Sequence, residues 1–211
     1  MLDTGGVLAD LLPPGVVAVE AFGASASAPL LGDEAAAVAR AVPARRAEYA
    51  AVRACARDAL ERLGAGRPAV PSAPDRSPVW PVGVVGALTH CDGYRAAAVA
   101  RADAWVGVGI DAEPLAPLPG DVADLVMSYD ERAAHAVGTW PERLVFSAKE
   151  SVYKVWSPVV GTWLGFEDVR VEVGDGTFTA HLDRPGLAVD VLHGRWTTGR
   201  GLLVTALALR R

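Results

Sequence analysis

Two carboxylates close an apolar run in "GVGIDAEP", residues 107 to 114. In an extended strand alternate side chains share a face. Val106, Val108, Ile110 and Ala112 then line one side, and Gly107, Gly109, Asp111 and Glu113 the other. Two acids two residues apart on one face repel each other unless solvent or a cation lies between them. Hard cations such as Mg²⁺ take oxygen ligands of this kind. The glycines beside the acids leave room for a bulky group to approach the backbone. Taken alone, the octapeptide reads as readily as a strand end running into solvent.

A second group sits in "FSAKESVYKVW". On a helical wheel Val145, Ala148, Val152 and Val155 form an apolar stripe, widened by Phe146, Tyr153 and Trp156. Glu150 and Lys154 are one turn apart and project together from the opposite side. As an ordinary surface pair they are worth a few tenths of a kcal/mol. Lys149 points into the apolar arc, where it must snorkel or meet an anion. A third group is "GALTHCDGY", which reads as a Gly-flanked turn where Thr89, His90 and backbone N–H groups meet an anion. A histidine satisfying a loop carbonyl fits His90 equally well. Cys91 reads as packing. His135, His181 and His193 are scattered singly without metal-ligand spacing, and Gly174 to Gly176 lacks the pattern of a phosphate loop.

The elements that must position these groups alternate in type. Residues 34 to 63 read as helix, interrupted or restarted at Pro43. Tyr49, Val52, Ala56, Leu60 and Leu63 form its buried stripe, with Arg46, Arg53 and Arg57 along a cationic edge. A Pro- and Gly-rich loop over 64–86 leads to "WPVGVVG" and then to a strand in "YRAAAVAR". That strand is expected to form a hairpin with "WVGVGIDAE", and 114–121 is expected to be a linker. Helical "YDERAAHAV" and "ERLVFSAKESVYKVW" follow, then strand-like "EDVRVEVG", "TFTAHL" and "RGLLVTALALR". Helices followed by antiparallel strands in each half give the α+β class, with halves 1–105 and 106–211.

Composition limits the function classes. The 211 residues are 51% hydrophobic and 21% charged, a globular balance, and the net charge of -5 argues against a nucleic-acid partner. No apolar run approaches a membrane span. The first residues carry acids and no basic stretch, unlike a secretion signal. The two cysteines, Cys55 and Cys91, read as reduced thiols in a cytoplasmic protein.

Taken together and in this order, "THCDGY", "GVGIDAEP" and "FSAKESVYKVW" resemble the phosphopantetheinyl transferases of the surfactin and enterobactin synthetase type. The Arg-rich "RRAEYAAVRACAR" and the Trp80 to Gly86 segment are similar to the actinobacterial branch. The resemblance runs from about Arg45 to the C-terminus. It implies two similar α+β halves in a pseudo-dimeric monomer, with coenzyme A bound at their interface. It also implies Mg²⁺-dependent transfer of the 4'-phosphopantetheine arm to a serine of an apo acyl or peptidyl carrier protein. Adenosine 3',5'-bisphosphate would be released, and no membrane or nucleic acid would take part. Carriers of polyketide, nonribosomal-peptide and other secondary-metabolite assembly fall in this class.

By motif, the resemblance makes Asp111, Glu113 and Glu150 the metal ligands, and Glu150 also the base. Lys154 is placed at the pyrophosphate, and Thr89 and His90 at phosphate oxygens. Arg45 and Arg53 are expected to hold coenzyme A phosphates, with Arg46 competing with Arg45 for that role. Lys149 joins the set facing the nucleotide. Arg76, in "APDRSPVW", stands where relatives often carry a lysine, and Ala87 replaces the usual serine before "LTH". Two rival readings are a Mg²⁺-dependent nucleotide phosphodiesterase and a non-catalytic module that binds coenzyme A or a carrier. Asn at position 111 is expected to leave the fold intact, or slightly more stable through relief of acid–acid repulsion.

Overall fold

The computed structural model describes residues 6–23, 28–134 and 141–211. The first half holds strand β1 (Val16–Phe22), helices α1 (Glu34–Ala37) and α2 (Pro43–Arg62), and strands β2 (Val84–Cys91) and β3 (Tyr94–Arg101). The second holds β4 (Trp105–Pro114), helices α3 (Gly120–Val126), α4 (Tyr129–Ala134) and α5 (Pro141–Val160), and strands β5 (Val169–Gly174), β6 (Thr177–Leu182), β7 (Val191–Gly199) and β8 (Leu202–Arg210). The helical segment expected over 34 to 63, interrupted or restarted at Pro43, is two helices, and the second starts at Pro43. Pro43 opens α2 at its first turn, where the missing N–H costs nothing and the fixed φ favours helix.

The two sheets are antiparallel throughout, with orders β1-β3-β2 and β4-β8-β7-β6-β5. Two expectations change. Thr89 and His90 lie on β2, because the turn falls at Asp92–Gly93, where Gly93 takes φ 71°. And β3 pairs with β1 and β2, while β4 leaves for the other sheet and pairs with β8. The expected β3–β4 hairpin is therefore absent among the described residues. The start of the expected linker after Pro114 holds, but α3 begins at Gly120. His135 lies outside the described residues.

Each half is a helix on a sheet. Cys55, Ala56, Ala59 and Leu60 of α2 pack on Val19, Val84, Ala97 and Val99, and Val145, Ala148, Val152, Val155 and Trp156 of α5 pack on the larger sheet. Burying each of the larger side chains contributes about 1.5–3 kcal/mol. A third cluster joins the halves. Ala87, Ala96, Ala98 and Ala100 meet Val108, Ile110, Ala112, Leu202, Val204 and Ala206 there. Strand β3 is buried on both faces, which is why 96–100 reads as one unbroken apolar run. Because β2 lies against β4 across this junction, Thr89 comes beside Asp111.

Both cysteines are free thiols. Burial pushes Cys55 up to about 11, and burial together with the charges of Glu113 and Asp111 pushes Cys91 up to about 12. Alkylation by iodoacetamide at pH 7.5 is expected to run about 100-fold or more slower than for a free thiol. Titration of the native protein at the rate of a small thiol would contradict these environments.

Candidate active site

The glycine face of β4 admits a helix and not a ligand. A Cβ at Gly109 would stand 1.9 Å from the Ser151 carbonyl oxygen, and one at Gly107 would stand 3.0 Å from Val155. Only glycine lets α5 come this close. The close approach carries Ser147, Glu150 and Lys154 to the end of β4, where the acids begin.

Asp111 is buried, and its carboxylate is shared among several partners. Lys154 Nζ donates to Oδ1 at 2.8 Å and to the Ile110 carbonyl at 2.8 Å. Ser147 Oγ donates to Oδ2 at 2.9 Å, and Thr89 Oγ to Oδ1 at 3.3 Å. The Thr89 hydroxyl also accepts from Ala112 N at 3.1 Å. Thr89, which the resemblance places at a phosphate, ties β2 to β4 at Asp111 and Ala112. Glu113 accepts from Arg143 at 2.6 Å. The Glu150 carboxylate makes no hydrogen bond among the described residues. Burial, and then the Asp111 charge, raise both Glu113 and Glu150 above the ordinary carboxylate range. Among the described residues no three His, Cys, Asp or Glu side chains already converge on one point that could hold an ion.

A cleft of about 970 Å³ runs from these groups across to the first half. Asp111, Glu150, Tyr153 and Lys154 border one end, Gly86 to His90 lie along it, and Arg45, Tyr49, Arg53 and Arg76 border the other end. Arg45 lines this cleft, and Arg46 is not among its lining residues. Arg45 donates to His90 Nε2 at 2.7 Å, and since arginine only donates, that nitrogen accepts and His90 is neutral there. Desolvation by the surrounding cleft, and then the Arg45 charge, lower the His90 pKa. The ring edge is still open to solvent.

Two cations expected at the nucleotide are engaged inside the protein. Arg53 is 5% exposed and donates to the Val70 carbonyl at 2.7 Å and to Ser72 Oγ at 2.8 Å, with its guanidinium over the Tyr49 ring. It borders the cleft as a brace. Lys149, 3% exposed, donates to Glu131 and to the Val126 and Phe166 carbonyls, all at 2.8–2.9 Å. Its three N–H donors are then all taken. The lysine has found the anion its place in the apolar arc required. Arg76, by contrast, remains at the cleft, at the tip of the 71–78 loop with φ 72°.

Sequence reasoning missed Arg143, Ser147, Glu131 and Glu34. Arg143 donates to Glu113 and to the Ala116 and Pro117 carbonyls, tying the linker to the acid. The signal for it was present: Arg143, Ser147, Glu150 and Lys154 follow at spacings of four, three and four, one side of a helix. No such local signal points to Glu131 or Glu34, whose partners are distant in the chain.

Residues 33–100 match the model of the 4'-phosphopantetheinyl transferase N-terminal domain, and residues 107–206 match that of the 4'-phosphopantetheinyl transferase superfamily. The chain is 47% identical to the 4'-phosphopantetheinyl transferase Svp of Streptomyces mobaraensis, over 96% of this chain and 89% of that one. It is 39% identical to the 4'-phosphopantetheinyl transferase PptT of Mycobacterium tuberculosis, over 99% and 100%. Against the 4'-phosphopantetheinyl transferase Npt of Nocardia iowensis the identity is 41%, over 81% and 85%. With both halves matched and these relatives aligned along nearly their whole lengths, the chain belongs to the 4'-phosphopantetheinyl transferase superfamily.

Proposed function

We propose that the cleft between the halves binds coenzyme A and that its phosphopantetheine arm is transferred there to a serine of an apo acyl or peptidyl carrier protein. Mg²⁺ would be held by Asp111, Glu113 and Glu150. The observation that carries this reading is the single cleft with Arg45 and Arg76 at one end and Asp111, Glu150 and Lys154 at the other. It matches a ligand with phosphates at its nucleotide end and a reacting pyrophosphate further along.

The donor set fits the metal. It is all carboxylate oxygen, and burial, then the Asp111 charge, raise Glu113 and Glu150, a cost that a bound cation would offset. When bound, Mg²⁺ supplies charge neutralisation at the pyrophosphate. Glu150, uncommitted and bordering the cleft, takes the proton of the carrier serine as its oxygen attacks the phosphorus bearing pantetheine. The bond from that phosphorus to the bridging oxygen breaks, and its electron pair leaves with adenosine 3',5'-bisphosphate. Lys154 uses two N–H donors on Ile110 and Asp111, and its third is left for the departing phosphate. A smaller cavity of about 210 Å³ adjoins the cleft at Glu150 and Tyr153, and its apolar lining of Trp163, Leu164 and Phe166 suits the pantetheine arm.

The reading includes a cytoplasmic monomer divided near residues 105 and 106. It is supported by a cleft completed within one chain and by two free thiols. The experiment is incubation with coenzyme A, Mg²⁺ and a panel of apo carriers, followed by intact mass. At least one carrier should gain one phosphopantetheine, and only with both coenzyme A and the divalent metal present. Cleavage of coenzyme A with every carrier unmodified would replace transfer by hydrolysis.

A further inference from the structure

We infer that the buried Glu34–Arg57 ion pair is a positioning latch that sets both lips of the nucleotide end of the cleft. The inference rests on the coenzyme A reading above and concerns how tightly that end is bound.

One lip runs from Asp33 to Ala41 and the other from Pro71 to Pro78. The first has little structure of its own: α1 is four residues long, and its N-cap makes no side-chain hydrogen bond. What holds it is Glu34, which is fully buried. Its carboxylate accepts from Leu31 N at 2.8 Å, from Arg57 Nη1 at 2.9 Å to each oxygen, and from Val70 N at 2.8 Å. Arg57 in turn donates to the Pro29 carbonyl at 2.9 Å. One carboxylate therefore fastens the approach to the first lip, the root of the second lip at Val70, and α2. One turn earlier on α2, Arg53 grips the Val70 carbonyl and Ser72 Oγ, and Tyr49 OH lies 3.0 Å from Ser72 Oγ. The two lips thus have one common anchor on α2. None of these contacts involves Asp111, Glu113 or Glu150.

Glu34→Gln keeps the shape but turns one oxygen into an N–H donor that faces the donors of Arg57, Val70 or Leu31. A buried donor against a donor is strongly disfavoured. The lips open, while α2 stays on its sheet through Cys55, Ala56, Ala59 and Leu60. A site whose competent state is only fractionally populated loses affinity by that fraction. The dissociation constants of coenzyme A and of adenosine 3',5'-bisphosphate should therefore rise together, by about 10-fold or more. The turnover number at saturating coenzyme A should stay within about twofold, because the reacting groups are untouched.

The test is calorimetric titration of wild type, Glu34→Gln and Arg57→Lys with each nucleotide, steady-state kinetics, and amide exchange over 29–41 and 70–78. Arg57→Lys keeps the charge but loses the fork that spans Glu34 and Pro29, so it should weaken both nucleotides in the same ratio. Faster exchange confined to the two lips is expected. A folded variant with unchanged affinity, or one whose turnover number falls with its affinity, overturns the latch. If both variants unfold as a whole, the pair belongs to the general core and the latch is likewise overturned. Failure of the wild-type protein to bind coenzyme A would instead overturn the coenzyme A reading itself.

Discussion

Glu150→Gln is expected to lower carrier modification by at least about 100-fold at saturating coenzyme A and carrier, with the fold retained. The side chain keeps its size and one oxygen, so binding and packing change little, while the basicity needed to take the serine proton is gone. The thermal midpoint should hold or rise. Burial and the Asp111 charge raise the Glu150 pKa, so at neutral pH its ionised form weakens the fold, in the range above the unfolded glutamate pKa. Gln carries no charge and escapes that cost. Loss of activity with unchanged or increased stability is the pattern of a functional group held in an environment that disfavours it. Wild-type turnover in a well-folded Gln variant would remove Glu150 as the base.

The chemistry-bearing residues were legible because their spacing is local. Asp111 and Glu113 sit on one strand, Glu150 and Lys154 one turn apart on one helix, and periodicity alone assigns each pair to a face. What covers a face was not legible. Gly107 and Gly109 read equally as space for a ligand or for a helix, and only the packing of α5 decides between them. Arg57 fell on a cationic edge of α2, yet that edge is covered by Glu34, 23 residues away in the chain. Lys149 announced that it needed an anion, but nothing local points to Glu131, since the ion pair forms only when α4 docks beside α5.

Strand pairing failed for the same reason. The run from Tyr94 to Arg101 and the run from Trp105 are separated by a short turn, the usual mark of a hairpin, and yet β4 pairs with β8 near the end of the chain. Local turn chemistry offers a hairpin, whereas burial of β3 between α2 and the other half demands a central place between β1 and β2. The non-local burial prevails, and its result is functional. Sending β4 into the second sheet brings it against β2 from outside, so that the Thr89 hydroxyl reaches Asp111 and the backbone of Ala112. Asp111 therefore stands on the seam between the halves, bordering the cleft.

Asp111→Asn is the substitution for which the structure changes the expected outcome most. From sequence alone, removing one of two neighbouring acids relieves repulsion and leaves the fold intact or improved. In the structure Asp111 is the acceptor for Lys154, Ser147 and Thr89 at once, and its relations with Glu113 and Glu150 are only part of the balance. Neutralising it strips Lys154 of its carboxylate partner. A hydrogen bond to a charged group is worth about 1.5–3 kcal/mol, and relief of repulsion at Glu113 and Glu150 offsets part of that. A net loss of about 1 kcal/mol follows, or a fall in thermal midpoint of about 2–4 °C for a chain of this size. The effect on activity is larger. Partners outside the coordination shell alone are worth about 10–100-fold, so loss of a charged ligand should reduce carrier modification by at least about 100-fold. Metal dependence separates this from a merely structural defect. Mg²⁺ should raise the thermal midpoint of the wild-type protein and not that of Asp111→Asn, a comparison that needs neither coenzyme A nor turnover. An Asn variant with the wild-type response to Mg²⁺, in stability and in carrier modification alike, would remove Asp111 from the metal site and leave it as the seam between the two halves.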